Sequence, residues 1–238
     1  MENIIFFDTE TTGNTEKDFL CQIAYMSNGE SFSEMYKPEK RIPPEASAVH
    51  HISNKMIEGK PSFKESDDYK KIKKIFEDTS TIAVAHNAPF DIAILKNEDI
   101  TVANFICTLR VARALDPEGK IEKYNLQYLR YLLEIEITAQ AHDALGDVMV
   151  LEKLFERLLK KIMDTDGVDE STAIQKMIEI SSHPSIFRKI NFGKYAGQDL
   201  EEIAQKDKGY LEWLLNQKLQ SDTLEEDWIY TLKHFLGK

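Results

Sequence analysis

Cysteine is almost missing from this chain, with two in 238 residues, Cys21 and Cys107. They lie far apart in sequence and stand in no CxxC or Cys/His spacing, so neither a disulfide framework nor a zinc site is indicated. Reduced thiols in the cytosol are the expectation. No apolar run approaches the ~20 residues of a membrane span, and the start of the chain lacks the basic and long apolar stretches of a signal peptide. The sequence therefore predicts a cytoplasmic protein with no membrane association. Positive charge is in deficit: 30 Lys and Arg face 41 Asp and Glu, for a net charge of −11. No global field draws in nucleic acid. That deficit does not settle the question, because a bound divalent cation is often the largest charge in its site.

What is present is 42% hydrophobic residues, enough for a real core, in a chain long enough for one main domain and a small one. Ile4 to Glu10 is β-branched and aromatic and reads as a buried strand. Phe19 to Ser27 and Ser31 to Tyr36 meet across Asn28-Gly29, a strong hairpin signal, so three antiparallel strands open the fold. Residues 40–63 hold Pro43, Pro44, Gly59 and Pro61 and are expected to be mostly loop. Helical patterns then alternate with short strands at Thr81 to Ala85 and Asn104 to Cys107, and a long helix carries Leu151, Leu154, Phe155, Leu158 and Ile162, with Asp143 as its cap. A meander followed by alternating helices and strands implies an α/β fold with a mixed sheet flanked by helices, the order of ribonuclease H-like folds. The periodicity is expected to break between Met163 and Val168, which divides the chain into a domain over 1–165, a linker helix over 166–182 and a small, mainly helical unit over 183–238.

Asp8 and Glu10 are two apart in a strand, so both leave the face shared with Ile4 and Phe6. Asp91 follows His86-Asn87-Ala88-Pro89-Phe90 in the first turn of a helix, beside the end of a central strand where sites on such sheets form. Asp147 lies on the inward stripe of the long helix, where an acid is costly unless paired or metal-bound, and His142 lies just before it. Each acid alone is unremarkable. Four carboxylates and an imidazole, each at an element end that one sheet can bring to a common point, suit Mg²⁺ or Mn²⁺, since hard cations prefer oxygen.

Three of these segments resemble, in order, the motifs of the DEDDh (DnaQ-like) 3′–5′ exonuclease family: Phe7-Asp8-Thr9-Glu10-Thr11-Thr12-Gly13, His86 to Asp91, and His142-Asp143-Ala144-Leu145-Gly146-Asp147. The resemblance covers roughly residues 1–160. It implies a two-metal phosphodiester hydrolase in which Asp8, Glu10, Asp91 and Asp147 hold two ions, His142 is the general base, and Glu10 with the backbone of Thr11 and Thr12 receives the terminal 3′-OH. His50 and His51 stand in a segment similar to the family's His-Gly-Ile-Thr stretch, His51 where Gly is usual, and both are read as structural. His86 matches its motif, but a histidine at a strand end more often bonds to nearby backbone, so it stays outside the catalytic set.

Ile190 to Gly197 and Gly209 to Leu215 resemble the C-terminal module of exodeoxyribonuclease X-like proteins. That resemblance implies DNA as substrate, taken as single strands or frayed 3′ ends, and a repair or replication setting with a possible protein partner. RNA 3′ ends and a polymerase-associated proofreading role are the alternatives within the family. A non-catalytic scaffold is the alternative outside it. The run Gly-Lys-Tyr-Ala-Gly lacks the spacing of a nucleotide-triphosphate loop. Phe192, Tyr195, Tyr210 and Trp213, with Lys194 and Lys208, are either a stacking platform for single strands or, more in keeping with a module this small, its core.

Overall fold

The computed structural model describes residues 3–137, 144–223 and 225–238. β1 (Asn3–Thr11), β2 (Leu20–Ser27) and β3 (Glu30–Met35) form the antiparallel meander. Its second turn is Asn28-Gly29, with φ of 51° and 80°, the two left-handed residues that match the twist of a tight hairpin. β4 (Thr81–Ala85) and β5 (Asn104–Cys107) add in parallel, for the order β3-β2-β1-β4-β5.

Residues 40–63 are not all loop. They contain α1 (Pro44–His50), seven residues whose start is set by Pro43 and Pro44 and whose end is His51 in the left-handed region at φ 61°. Two turns are too short to show periodicity, and proline at the first helical position starts a helix as readily as it ends one. The left-handed φ at His51 also explains why glycine is the usual residue there.

β1 alternates cleanly between two cores. Ile5 and Phe7 face α2 (Tyr69–Glu77) and α3 (Ala88–Asn97), where they pack with Ile72, Phe76 and Ile94. Phe6 faces the opposite layer of α4 (Thr108–Ala114), α5 (Leu126–Leu132), α6 (Ala144–Asp166) and α7 (Glu170–Ser181), and meets Phe155 edge-on at 5.3 Å between ring centroids. Each such side chain, fully buried, contributes about 1.5–3 kcal/mol. β1 is thus fixed from both sides, and its carboxyl end cannot drift.

The break expected between Met163 and Val168 falls at Gly167. α6 stays helical through Asp166, which is exposed and paired with Lys176 at 2.5 Å, and the chain reverses at Gly167 with φ +66°. Exposed acids do not stop a helix; a left-handed glycine does. α7, expected as a linker, is built into the first core through Ala173, Ile174 and Met177. Its last residue, Ser181, is fully buried and accepts a hydrogen bond from the Cys107 N–H at 2.8 Å.

The C-terminal unit folds α8 (Leu200–Lys206), α9 (Lys208–Leu219) and α10 (Glu226–Leu236) around Ile203, Leu211, Leu214, Leu232 and Leu236. Phe192, Tyr195 and Tyr210 pack against this core, as the bland expectation had it, whereas Trp213 is 54% exposed. The unit docks on α4 through charge. Arg110, 5% exposed, donates to Glu226 at 2.5 Å, lies 3.2 Å from Asp227 and donates to the Ser181 carbonyl at 2.7 Å, while Arg113 reaches Asp227 at 2.5 Å. A guanidinium this buried is tolerated only because it is paired. Both cysteines are free and buried, and among the described residues no helix is long and apolar enough to cross a membrane.

If Ser181 ties α7 to the sheet, Ser181→Ala leaves the Cys107 N–H buried and unpaired and costs about 1–3 kcal/mol. Denaturant titration of the variant should show the midpoint falling with the slope unchanged.

Candidate active site

The sheet changes direction at β1, with β2 antiparallel on one side and β4 parallel on the other. A crevice forms at the carboxyl end of the strands at such a switch point. Asp8 and Glu10 leave β1 there on the α6 side, and Asp147 stands in the first turn of α6. The structure brings these three together, with one carboxylate oxygen from each within 4.8 Å of the others. Asp91 comes from the opposite layer, at the start of α3, and is 4% exposed. Its Oδ1 accepts from the Thr9 N–H at 3.1 Å and the Thr9 hydroxyl at 2.7 Å, bonds that tie it to the strand bearing the other acids.

This crowding shows in the acidities. Desolvation, and then the charges of Asp91, Glu10 and Asp147, push the Asp8 carboxyl well above the usual range. Asp91 is raised to about 7 by desolvation, with the Thr9 bonds opposing. Oxygen donors of which two, Asp8 and Asp91, resist ionisation until a cation arrives fit a hard divalent ion.

Local chemistry holds the frame. Gly13 sits so close to Asp18 that a Cβ there would lie 2.5 Å from its carboxylate. Asp18 accepts from the Thr12 hydroxyl at 3.0 Å and from the Thr15 N–H and hydroxyl at 3.0 and 2.8 Å, closing the loop after β1. The Thr11 hydroxyl donates to the Gly13 carbonyl at 2.5 Å. The hydroxyls of Thr11 and Thr12 are therefore spent inside the protein. His50 is buried; its Nδ1 accepts from the Ile52 N–H at 3.0 Å, which leaves Nε2 to donate to the Thr11 carbonyl at 3.2 Å. His86 contacts the Thr108 hydroxyl at 2.9 Å and the Tyr124 carbonyl at 2.6 Å, and burial lowers its pKa to about 4. Both are structural histidines. His142, and the cap Asp143, lie outside the described residues.

Two contributors escape a reading of the sequence. Thr9 lies inside the first motif between two acids, and its bonds to Asp91 cross from one layer to the other. Gln127, on α5, donates through Nε2 to Asp147 Oδ1 at 2.5 Å. Its only sequence mark is a place two residues past the cap Asn125, whose side chain accepts from the Tyr128 N–H.

With this geometry in place, the comparisons with known proteins are decisive. The family model described as Exonuclease matches residues 5–155. The chain belongs to that exonuclease family. A second model, Exodeoxyribonuclease X-like C-terminal, matches residues 190–218. Exodeoxyribonuclease 10 of Escherichia coli strain K12 is 31% identical over 205 residues, covering 86% of this chain and 84% of its own length. DNA polymerase III subunit epsilon of Treponema pallidum is 30% identical over 198 residues, covering 75% of this chain and 89% of its own. A solved structure of Exonuclease X in complex with 5′ overhanging duplex DNA aligns with a TM-score of 0.58 at 26% identity, over 75% of this chain and 99% of that one. As an exonuclease-family member the chain is a nuclease with a mixed α/β fold of the ribonuclease H-like kind and an acidic cluster able to hold metal.

Two outcomes follow for this exonuclease site. Gln127→Ala should weaken divalent-ion affinity by roughly 10–100-fold, as loss of a partner that orients a ligand does, read by calorimetric titration with Mn²⁺. Asp8 and Asp91 have raised folded pKa values against about 3.9 unfolded. In chelator, the stabilising contribution of Asp91 is whole below about pH 4 and is lost as pH rises through about 7, and that of Asp8 is lost in the same direction. The melting temperature of chelated protein should fall across that window, Mn²⁺ should restore it, and Asp91→Asn should flatten the profile.

Proposed function

We propose that this exonuclease-family chain hydrolyses DNA one nucleotide at a time from the 3′ end, acting on single strands or frayed ends. The observation that carries the reading is the meeting of Asp8, Glu10 and Asp147 within 4.8 Å, with Asp91 raised to about 7 beside them, at the sheet's switch point. Magnesium or manganese suits this donor set, and a bound pair would activate water and neutralise charge on the leaving oxygen.

Asp8 feels the charges of all three other acids, which would suit it to contact both ions, with Glu10 and Asp147 available to hold one and Asp91 the other. Gln127 holds one Asp147 oxygen and so fixes where the other points. His142 takes the proton of the attacking water, a task that suits imidazole. Glu10 and the backbone of Thr11 and Thr12 receive the 3′-OH, since the two hydroxyls are engaged elsewhere. The exodeoxyribonuclease X-like match at residues 190–218 favours DNA over RNA.

An oligonucleotide labelled at either end, incubated with Mg²⁺ or with chelator, tests polarity and metal dependence together. Mononucleotides should be released from the 3′ end only when metal is present. His142→Ala should cost on the order of 10²–10⁴ in rate, and Asp147→Ala should remove nearly all activity. A fully active, metal-dependent Asp147→Ala protein would overturn the assignment.

A further inference from the structure

Between the exonuclease unit and the C-terminal module lies a cleft of about 1170 Å³, larger than the roughly 300–1,000 Å³ of a small-molecule site. One wall is continuous with the catalytic elements. Asn87 and Pro89 line it just before Asp91, and Asn125 lines it at the cap of the helix that carries Gln127. The other wall is the segment 186–191 that leads into the module. The cleft therefore lies along the seam of the two units and borders the segments that lead into Asp91 and Gln127.

Its charge is unlike that of the whole molecule. Asp116 accepts from the Lys120 and Ile121 N–H groups and the Tyr124 hydroxyl, Glu225 pairs with Lys218, and Glu226 and Asp227 are taken by Arg110 and Arg113. Of the lining acids only Glu122 has no partner among the described residues. Lys120 is paired with Glu118. Lys123, Arg188 and Lys189 are exposed and make no ion pair among the described residues. Three cations without an ion pair, Lys123, Arg188 and Lys189, against two lining acids without one, Asp116 and Glu122, leave this seam locally positive in a chain of net charge −11. The aromatic wall offers no stacking face: Phe187 and Trp228 lie 4.3 Å apart between ring centroids, Arg113 covers the Phe187 ring at 4.4 Å, and Phe192 and Lys218 flank Trp228. What remains for a ligand is positive charge on flexible side chains, the means by which proteins hold phosphates without reading bases.

We propose that this seam is the channel for the single strand behind the 3′ end, whose internucleotide phosphates are held by Lys123, Arg188 and Lys189. The C-terminal module then completes the substrate path, a role distinct from hydrolysis. The proposal rests on the nuclease reading above. It implies grip without base preference and with strong salt dependence.

The test uses the full chain with Mn²⁺, comparing a single strand of about twenty nucleotides with a dinucleotide too short to leave the acidic site. The triple substitution Lys123→Glu, Arg188→Glu, Lys189→Glu should raise KM for the long strand roughly 10–100-fold and reduce the slope of log affinity against log salt by about two, since each single-strand phosphate contact contributes about 0.7. Turnover of the dinucleotide should not change. The milder triple Lys123→Gln, Arg188→Gln, Lys189→Gln should move the same quantities less, and it decides the matter if the reversal does not fold. Unchanged KM for the long strand, an equal loss on both substrates, or loss of affinity in Trp213→Ala with the triple variant intact would overturn the channel. Absence of hydrolysis of either substrate by the unaltered protein would instead overturn the nuclease reading.

Discussion

The repulsion among Asp8, Glu10, Asp147 and Asp91 is the constraint around which the rest of the molecule is arranged. With the acids ionised, two unit charges 4.8 Å apart, the outer limit for the first three, would repel by about 3–4 kcal/mol at an effective dielectric near 20, a cost that adds to desolvation in holding Asp8 protonated until a cation binds. That exceeds the net worth of one hydrogen bond, about 0.5–1.5 kcal/mol. No single contact can hold the acids together. The sheet does, because β1 is packed on both faces and pinned by β2 and β4, so Asp8 and Glu10 cannot relax apart without breaking two cores. Hydrogen bonds then aim what the sheet has placed: Thr9 aims Asp91 and Gln127 aims Asp147.

The second unit belongs to the same arrangement. Arg110 sits on the helix that begins at Thr108, whose hydroxyl contacts His86, and His86 leads into Asn87 and the turn that carries Asp91. Glu226 and Asp227 pair Arg110 from the module, and Ser181 supports it from α7. A buried guanidinium without those partners would be costly, so the second motif is braced by residues distant in sequence, Glu226 and Asp227 among them.

What could be read from the sequence was whatever is local. Asn28-Gly29 specifies a turn within two residues, the alternation in β1 specifies two faces, and the three motifs carry Asp8, Glu10, Asp91 and Asp147 at spacings that place them at element ends. α1 was hidden because seven residues are too few for a period to appear, whereas the end of α6 was legible, because Gly167 stops the helix inside the stretch where the periodicity breaks. Gln127, the Arg110 cluster and the role of α7 left no signal because each is defined by a partner distant in sequence: Asp147, Glu226 with Asp227, and Cys107. The stacking platform looked open from composition. Its aromatics prove to be largely module packing, because eight leucine and isoleucine side chains form a core small enough to need them.

The net charge of −11 then has a physical place in the mechanism instead of being an obstacle to it. Much of it consists of surface carboxylates whose field is screened beyond about 8–10 Å at ordinary ionic strength. A polyanion that approaches is governed at contact by what lies within that distance: an acidic cluster that a divalent cation would neutralise, and a seam in which three of the five lining acids are held in ion pairs. Glu226 and Asp227 serve structure and electrostatics at once, because the ion pairs with Arg110 and Arg113 that dock the module also offset their charge. An acidic protein can therefore act on nucleic acid with few cations, provided the fold decides which of its charges remain unpaired.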